Sequence, residues 1–210
     1  MDSGRKMTAD TSRGEGKSGL ALNTAGVISY LIDQGSNEYA LLMEGKDGLC
    51  FTNFGRGGMH FEEMMQLLER NIAGREGQRD MHDLLNYAAE NIRRRMVIVT
   101  VTDIGGIASM DEPLLKKVTV NNDLLVIALD DAYLTGGNVY DVDQGKYERE
   151  LLLGGGRLAE AEHRARERLY EEAGKRFRSY RVSMERLAGD EEVIPGIIDL
   201  FGRHRYGNHR

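Results

Sequence analysis

Cysteine is nearly missing from this chain: Cys50 stands alone among 210 residues. That excludes a disulfide framework and a zinc site built on thiolates. Its neighbours Leu49 and Phe51 make it a buried strand thiol rather than a nucleophile. Long hydrophobic runs are missing too. None reaches the roughly 18 apolar residues of a membrane span, and the amino terminus has no apolar signal-peptide core. The expectation is a soluble, cytoplasmic chain. Tryptophan is absent, and the only two prolines, Pro113 and Pro195, fall near helix starts. An excess of positive charge is also lacking, since 28 basic residues face 34 acidic ones for a net charge of -6. A general nucleic-acid binder shows a basic footprint, so no nucleic acid is expected as a partner. The arginines between Arg157 and Arg186 are interleaved with glutamates, the pattern of a salt-bridged helix face.

What is there is a globular balance, 40% hydrophobic and 30% charged, long enough to bury a real core. With no repeats and no obvious linker, residues 1–210 read as one domain. The most informative stretch is 96–103, an apolar run that follows Arg93-Arg94-Arg95, ends on Asp103 and is succeeded by Gly105-Gly106. Such a run is a strand buried on both faces, as in a parallel sheet covered by helices. In open α/β sheets ligands gather beyond the carboxyl ends of the strands, where Asp103 stands.

The rest of the chain fits that sheet. Residues 1–16 read as a loop, 17–33 as a helix, 38–44 and 49–53 as a hairpin turned by Gly45-Lys46-Asp47-Gly48. A second helix carries Phe61, Met64, Met65, Leu68 and Ile72 on one side. Asp80 caps a third, with Met81, Leu84, Leu85, Ala88 and Ile92 at helical spacing. A short helix runs from Asp111 to Val118, a buried strand covers 124–129, and 131–153 is a hairpin excursion around Tyr140 and Tyr147. That hairpin is either a partner-binding edge or an ordinary cross-strand pair. A long helix over 157–178, a strand over 179–187 and a helix over 193–201, with Ile194, Ile197, Ile198 and Phe201 inward, close the chain. The class is α/β, a doubly wound, mostly parallel sheet with helices on both faces. One element is wanting, because the first helix should follow a strand.

Three sets of residues are candidates for chemistry. Gly14-Glu15-Gly16-Lys17-Ser18 looks like the end of a phosphate-binding P-loop, but Thr11 stands where the first glycine belongs and no hydrophobic strand precedes it. It reads as a glycine-rich turn into a helix. Asp2, Asp103, Asp130 and Asp131 could hold a hard cation such as Mg²⁺ at the sheet edge; the alternative is that they cap helices and shape turns. His60, His82, His163, His204 and His209 share no metal spacing and form no Ser-His-Asp or Cys-His set.

Asp2-Ser3-Gly4-Arg5-Lys6-Met7 resembles the Asp-x-Ser-x-Ser-Met loop of von Willebrand factor A-like domains, in the variant of the bacterial domain-of-unknown-function fifty-eight family. Gly77-Gln78-Arg79-Asp80-Met81 falls where that family has Gly-x-Thr-Asp-Leu, and the strand from Arg94 to Asp103 is similar to its Arg-Arg…Ser-Asp strand, with Thr102 for serine. Asp130-Asp131, the hairpin, the charged helix and the last strand and helix complete a pattern that covers essentially the whole chain. The resemblance implies a metal-ion-dependent adhesion site, a partner among MoxR-type AAA+ ATPases, and work in the assembly or maturation of other complexes. It also implies that full-length relatives are often membrane-anchored, so that this chain would be the cytoplasmic part of such a protein.

The departures from the pattern matter as much. The two hydroxyls of the first loop are Gly4 and Lys6, and the threonine of the second is Arg79. Only Asp2 and Asp103 keep an oxygen ligand, so the metal site is expected to be degenerate, with no cofactor or at most Mg²⁺. Lys6 or Arg79 is expected to pair with Asp103 and Asp2 in place of the metal. Because Met1 directly precedes the loop, the first strand of the family is expected to be missing, leaving a truncated, marginally stable or self-associating protein. The expected binding face is Asp2, Ser3, Gly4, Arg5, Lys6, Arg79, Asp80 and Asp103. The expected function is a non-catalytic protein-protein interaction module; the alternative is a Mg²⁺-dependent phosphoryl-transfer or hydrolase domain using Asp2, Asp103 and Asp130.

Overall fold

The structure, a computed structural model, describes residues 1–72, 80–133, 139–141, 146–148 and 156–207. Its centre is a three-stranded parallel sheet in the order β3 (Val97–Thr102), β4 (Asp123–Leu129), β7 (Ser183–Leu187). Val97 pairs with Asp123 and Leu125 with Ser183. The strand expected over 124–129 is the middle one, and from Leu124 to Leu129 all its residues are buried. Its side chains alternate between two apolar clusters, as the two-residue period of a strand requires. Leu125, Ile127 and Leu129 join one with α1 (Lys17–Gln34), α2 (Gly58–Ile72) and α7 (Val193–Gly207). Leu124, Val126 and Ala128 join the other with α3 (Met81–Asn91), α5 (Glu112–Thr119) and α6 (Gly156–Ser179). Helices therefore flank both faces, which is why β4 carries no polar alternation.

Apart from this sheet stands the hairpin of β1 (Leu42–Gly45) and β2 (Gly48–Phe51), turned at Lys46-Asp47 with Gly48 at φ +108°. That left-handed backbone is where glycine is cheapest. A second hairpin, β5 (Val139–Asp141) with β6 (Lys146–Glu148), sets Tyr140 opposite Tyr147; the rest of the 131–153 excursion lies outside the described residues beyond position 133.

Four features differ from expectation. A helix, α4 (Ile104–Ser109), opens directly after β3, and Arg5–Thr8 form a 3-10 turn inside the segment read as loop. The last strand begins only at Ser183, because α6 continues to Ser179 and Arg181 turns the chain at φ +58°. α7 buries Val193, Ile197 and Leu200, whereas Ile194 and Ile198, expected inward, are 58% and 60% exposed. Positions 193, 197 and 200 share one helical stripe, and 194 and 198 lie about 100° around the axis from it. Among the described residues no helix is long and apolar enough to cross a membrane.

Candidate functional site

The carboxyl ends of β3 and β4 bring together Asp2, Asp103, Asp131 and two lysines, Lys6 and Lys17. Asp103 follows β3 and caps α4: its Oδ1 accepts from the N–H groups of Gly105 at 2.8 Å and Gly106 at 3.0 Å. Capping of this kind satisfies donors that a helix start leaves orphaned. A Cβ at Gly106 would overlap the Thr102 hydroxyl, so glycine is required there by close approach and not by φ. Asp103 is 1% exposed and its Oδ2 has no hydrogen-bond partner.

The amino-terminal loop lies against this strand end. The Asp2 N–H donates to the Val101 carbonyl at 2.9 Å, and Asp2 Oδ2 accepts from the Thr102 hydroxyl at 2.8 Å. Asp2 Oδ1 accepts from the Gly4 N–H at 3.0 Å. Ser3 turns the other way, donating its hydroxyl to the Glu44 carbonyl of β1 at 2.7 Å. Both oxygens of Asp2 are thus engaged inside the protein.

Lys17 is the residue at the centre. As the first residue of α1 it is 0% exposed. Its N–H donates to the Ala9 carbonyl at 3.0 Å, and a bridge between Asp10 and Gly16 closes the loop before it, which turns the side chain under the Arg5–Thr8 backbone. There Nζ donates to the Asp131 carboxylate and to the Lys6 carbonyl at 3.3 Å, and it lies 3.7 Å from Asp103 Oδ2. Two carboxylates share one buried cation. Burial pushes the Asp131 carboxyl above its ordinary range; Lys17 opposes that shift and the Asp103 charge adds to it. Arg166, from α6, donates to the backbone carbonyls of Asp131 and Ala132, fixing the segment in place. Asp130 points elsewhere, accepting from the Ser12 hydroxyl at 2.6 Å and pairing with Arg186 at 3.5 Å.

The expected cation beside Asp103 was Lys6 or Arg79; among the described residues it is Lys17. Lys6 is exposed, and its Nζ rides over Gly105, 2.6 Å from where a Cβ would stand. The reason is geometric: the 3-10 turn sends the Lys6 carbonyl inward, where it accepts from Lys17, and its side chain outward. The structure brings Asp2, Gly4, Lys6 and Asp103 to one strand end, with Asp131 as an additional member. Arg5 contributes backbone to the turn, and Arg79 lies outside the described residues. Asp80 caps α3 by accepting from the Asp83 N–H at 3.0 Å, and with His82 and Asp83 it forms a surface group whose ligand atoms lie within 4.8 Å.

These residues do not fit a divalent metal at the strand ends. A hard cation needs about six oxygen donors in near-octahedral array. Here both Asp2 oxygens already accept hydrogen bonds, and an ammonium sits beside Asp103 and Asp131. Sequence reading took Lys17 only as part of a glycine-rich turn into a helix and missed its role as a buried counter-charge, although a signal existed. A lysine in the first turn of a helix opposes the macrodipole, so its presence there asks for a carboxylate partner. No family model matches the chain, and no curated protein or solved structure is significantly similar to it.

Proposed function

We propose that the chain is a non-catalytic protein-interaction module of the von Willebrand A-like kind, doubly wound, in which Lys17 stands in for the metal of the adhesion site. The observation that carries this reading is the buried Lys17 ammonium between Asp131 and Asp103 at the strand ends. It keeps the loop against β3 without a divalent ion, and so preserves the edge of the sheet as a rigid surface. Asp2, Gly4, Lys6 and Asp103 mark that face at the strand end, with Lys6 an exposed cation on it; Ser3, Arg5, Arg79 and Asp80 are assigned to the face from the sequence resemblance alone. The partner is a MoxR-type AAA+ ATPase, and the work is assembly or maturation of another complex.

A Mg²⁺-dependent hydrolase is the weaker reading. It would need Asp130 free to act on water or metal, and Asp130 is held by Ser12 and Arg186. The test is titration of the chain with a purified MoxR-type ATPase from the same genome, in Mg²⁺ and in EDTA with nucleotide held constant by a non-hydrolysable analogue. Saturable binding that survives EDTA and weakens about ten-fold on Lys6→Glu is the expected result. Absence of binding, or binding indifferent to Lys6, contradicts the assignment.

A further inference from the structure

At the amino ends of β3 and β4, away from the Lys17 site, lies a cavity of about 800 Å³ with a basic lining. Arg93 and Arg95 line it from the connection between α3 and β3, Lys117 from the last turn of α5, and Arg181 from the turn between α6 and β7. The acid in the lining is Asp123, which stands 4.0 Å from Arg95 and 3.7 Å from His204. Lys117 donates to Glu90 at 2.5 Å and to Asn86 at 2.6 Å. Arg94 is engaged by Glu38 at 3.2 Å and by the Phe54 ring at 4.3 Å. Among the described residues Arg93 and Arg181 have no carboxylate partner. A chain with a net charge of -6 thus gathers guanidinium groups here that its own acids leave unneutralised.

Arg181 holds its place at a conformational cost. Its φ of +58° lies in the left-handed region, where a Cβ crowds the following carbonyl. The Val182 N–H donates back to the Phe177 carbonyl at 3.0 Å and the Arg181 N–H to the Arg178 carbonyl at 3.1 Å. That is a helix-ending turn whose left-handed position is ordinarily glycine. A non-glycine residue kept in such a conformation at a cavity rim points to a use for its side chain. The wall behind is fixed, since the buried Asn122 side chain accepts from the Met96 N–H at 3.2 Å and donates to the Val118 carbonyl at 3.1 Å. The dipole of α5 favours a cation at its end and accounts for Lys117. Arg93, Arg95 and Arg181 stand outside any helix.

We propose that this cavity binds a small ligand carrying a chain of phosphate groups, held by Arg93, Arg95 and Arg181 with Lys117 beside them. The planar guanidinium fork matches phosphate oxygens two at a time, and such charge-assisted bonds are about twice as strong as neutral ones. Several guanidinium groups around one cavity select several linked phosphates over a single one. The volume is in the range of small-molecule sites. Inorganic polyphosphate and a nucleoside triphosphate present the same chemistry. The half-buried Tyr180 ring lines the cavity as well and offers a face to a base. The site is separate from the proposed ATPase-binding face, at the other end of the sheet, and either can fail alone.

The test is isothermal titration calorimetry of the full chain with inorganic tripolyphosphate, ATP and orthophosphate, in EDTA and about 0.15 M salt, where distant surface charges are screened. Tripolyphosphate and ATP are expected to saturate one site, about ten-fold or more tighter than orthophosphate. Tighter binding of ATP than of tripolyphosphate assigns the site to a nucleotide, and equal affinity to the phosphate chain alone. Arg93→Gln combined with Arg181→Gln weakens binding about ten-fold. Arg164→Gln with Arg168→Gln removes the same charge from an exposed stretch of α6 and leaves affinity within about two-fold. Arg181→Gly weakens binding while raising the melting temperature by about 2–4 °C, because glycine is at ease in the left-handed turn. An arginine kept for structure alone would not separate the two readouts. No saturable binding, equal affinity for orthophosphate, equal weakening by the α6 pair, or an Arg181→Gly chain that binds like the wild type overturns the proposal.

Discussion

The two ends of the β3 edge are completed by opposite means. At the carboxyl end, charge meets charge within the chain: Lys17 neutralises Asp131 and stands by Asp103, and the hydroxyl of Thr102 bonds Asp2. Toward the amino end, Val97 and Val99 border an apolar cavity, and Val97 is 50% exposed. Physical chemistry explains why both arrangements occur in one strand. A buried carboxylate without a partner costs several kcal/mol, because it cannot keep its hydration. Backbone groups along an open gap keep water within reach, and an apolar wall loses only part of its burial energy. The chain must satisfy the first internally, while the second tolerates an opening.

Removing Lys17 breaks the comparison most severely. Lys17→Met keeps the volume of the stem and leaves Asp103 and Asp131 facing each other. Urea denaturation is expected to show a loss of about 3–5 kcal/mol, with Asp131→Asn in the same chain restoring part of it. A change below about 1 kcal/mol, the scale of an exposed ion pair, would mean that the lysine is not the buried counter-charge.

The second effect is a pH dependence with a defined sign. The Met1 amine is lowered from 8.0 to about 6 by burial. Between those values the unfolded chain binds more protons, so stability rises as pH goes from 6 to 8. The ceiling is about 3 kcal/mol, two units at roughly 1.4 each. Asp131 has the opposite sign: its raised carboxyl costs stability above the ordinary value of 3.8 and the penalty is relieved on acidification. Amino-terminal acetylation isolates the two, since it flattens the rise between 6 and 8 and leaves the acid limb intact. Melting temperatures over that range check it.

A smaller effect sharpens the role of the glycine pair. Gly106→Ala forces a methyl into Thr102 Oγ1 and pushes at the bond from that hydroxyl to Asp2. The expected cost is about 1–3 kcal/mol, read by the same denaturation curves. An unchanged midpoint would show that the strand end yields freely.

Much of this was legible in the sequence, and the reasons differ by element. β4 was plain because a run buried on both faces has no polar interruption from Leu124 to Leu129. Asp103 was located by its place after such a run, and of its two readings, cation ligand or helix cap, the cap is the one formed in the structure. Lys17 was legible only as a first-turn cation in want of a carboxylate; which carboxylates it meets was not, because the turn that aims it is closed by the Asp10–Gly16 bridge and its partners come from distant strand ends. The outward placement of Ile194 and Ile198 was equally hidden, since an apolar stripe in sequence does not say how wide a stripe the core covers. The alternation of helices and strands left α1 without a strand before it, and among the described residues none precedes it.

The central claim, that a lysine replaces the divalent ion at the strand ends, meets its most direct test in Mn²⁺ titration followed by electron paramagnetic resonance. The wild-type chain is expected to bind no Mn²⁺ at micromolar affinity at this site, and Asp103→Ala to leave the titration unchanged. Micromolar binding that disappears on Asp103→Ala would contradict it.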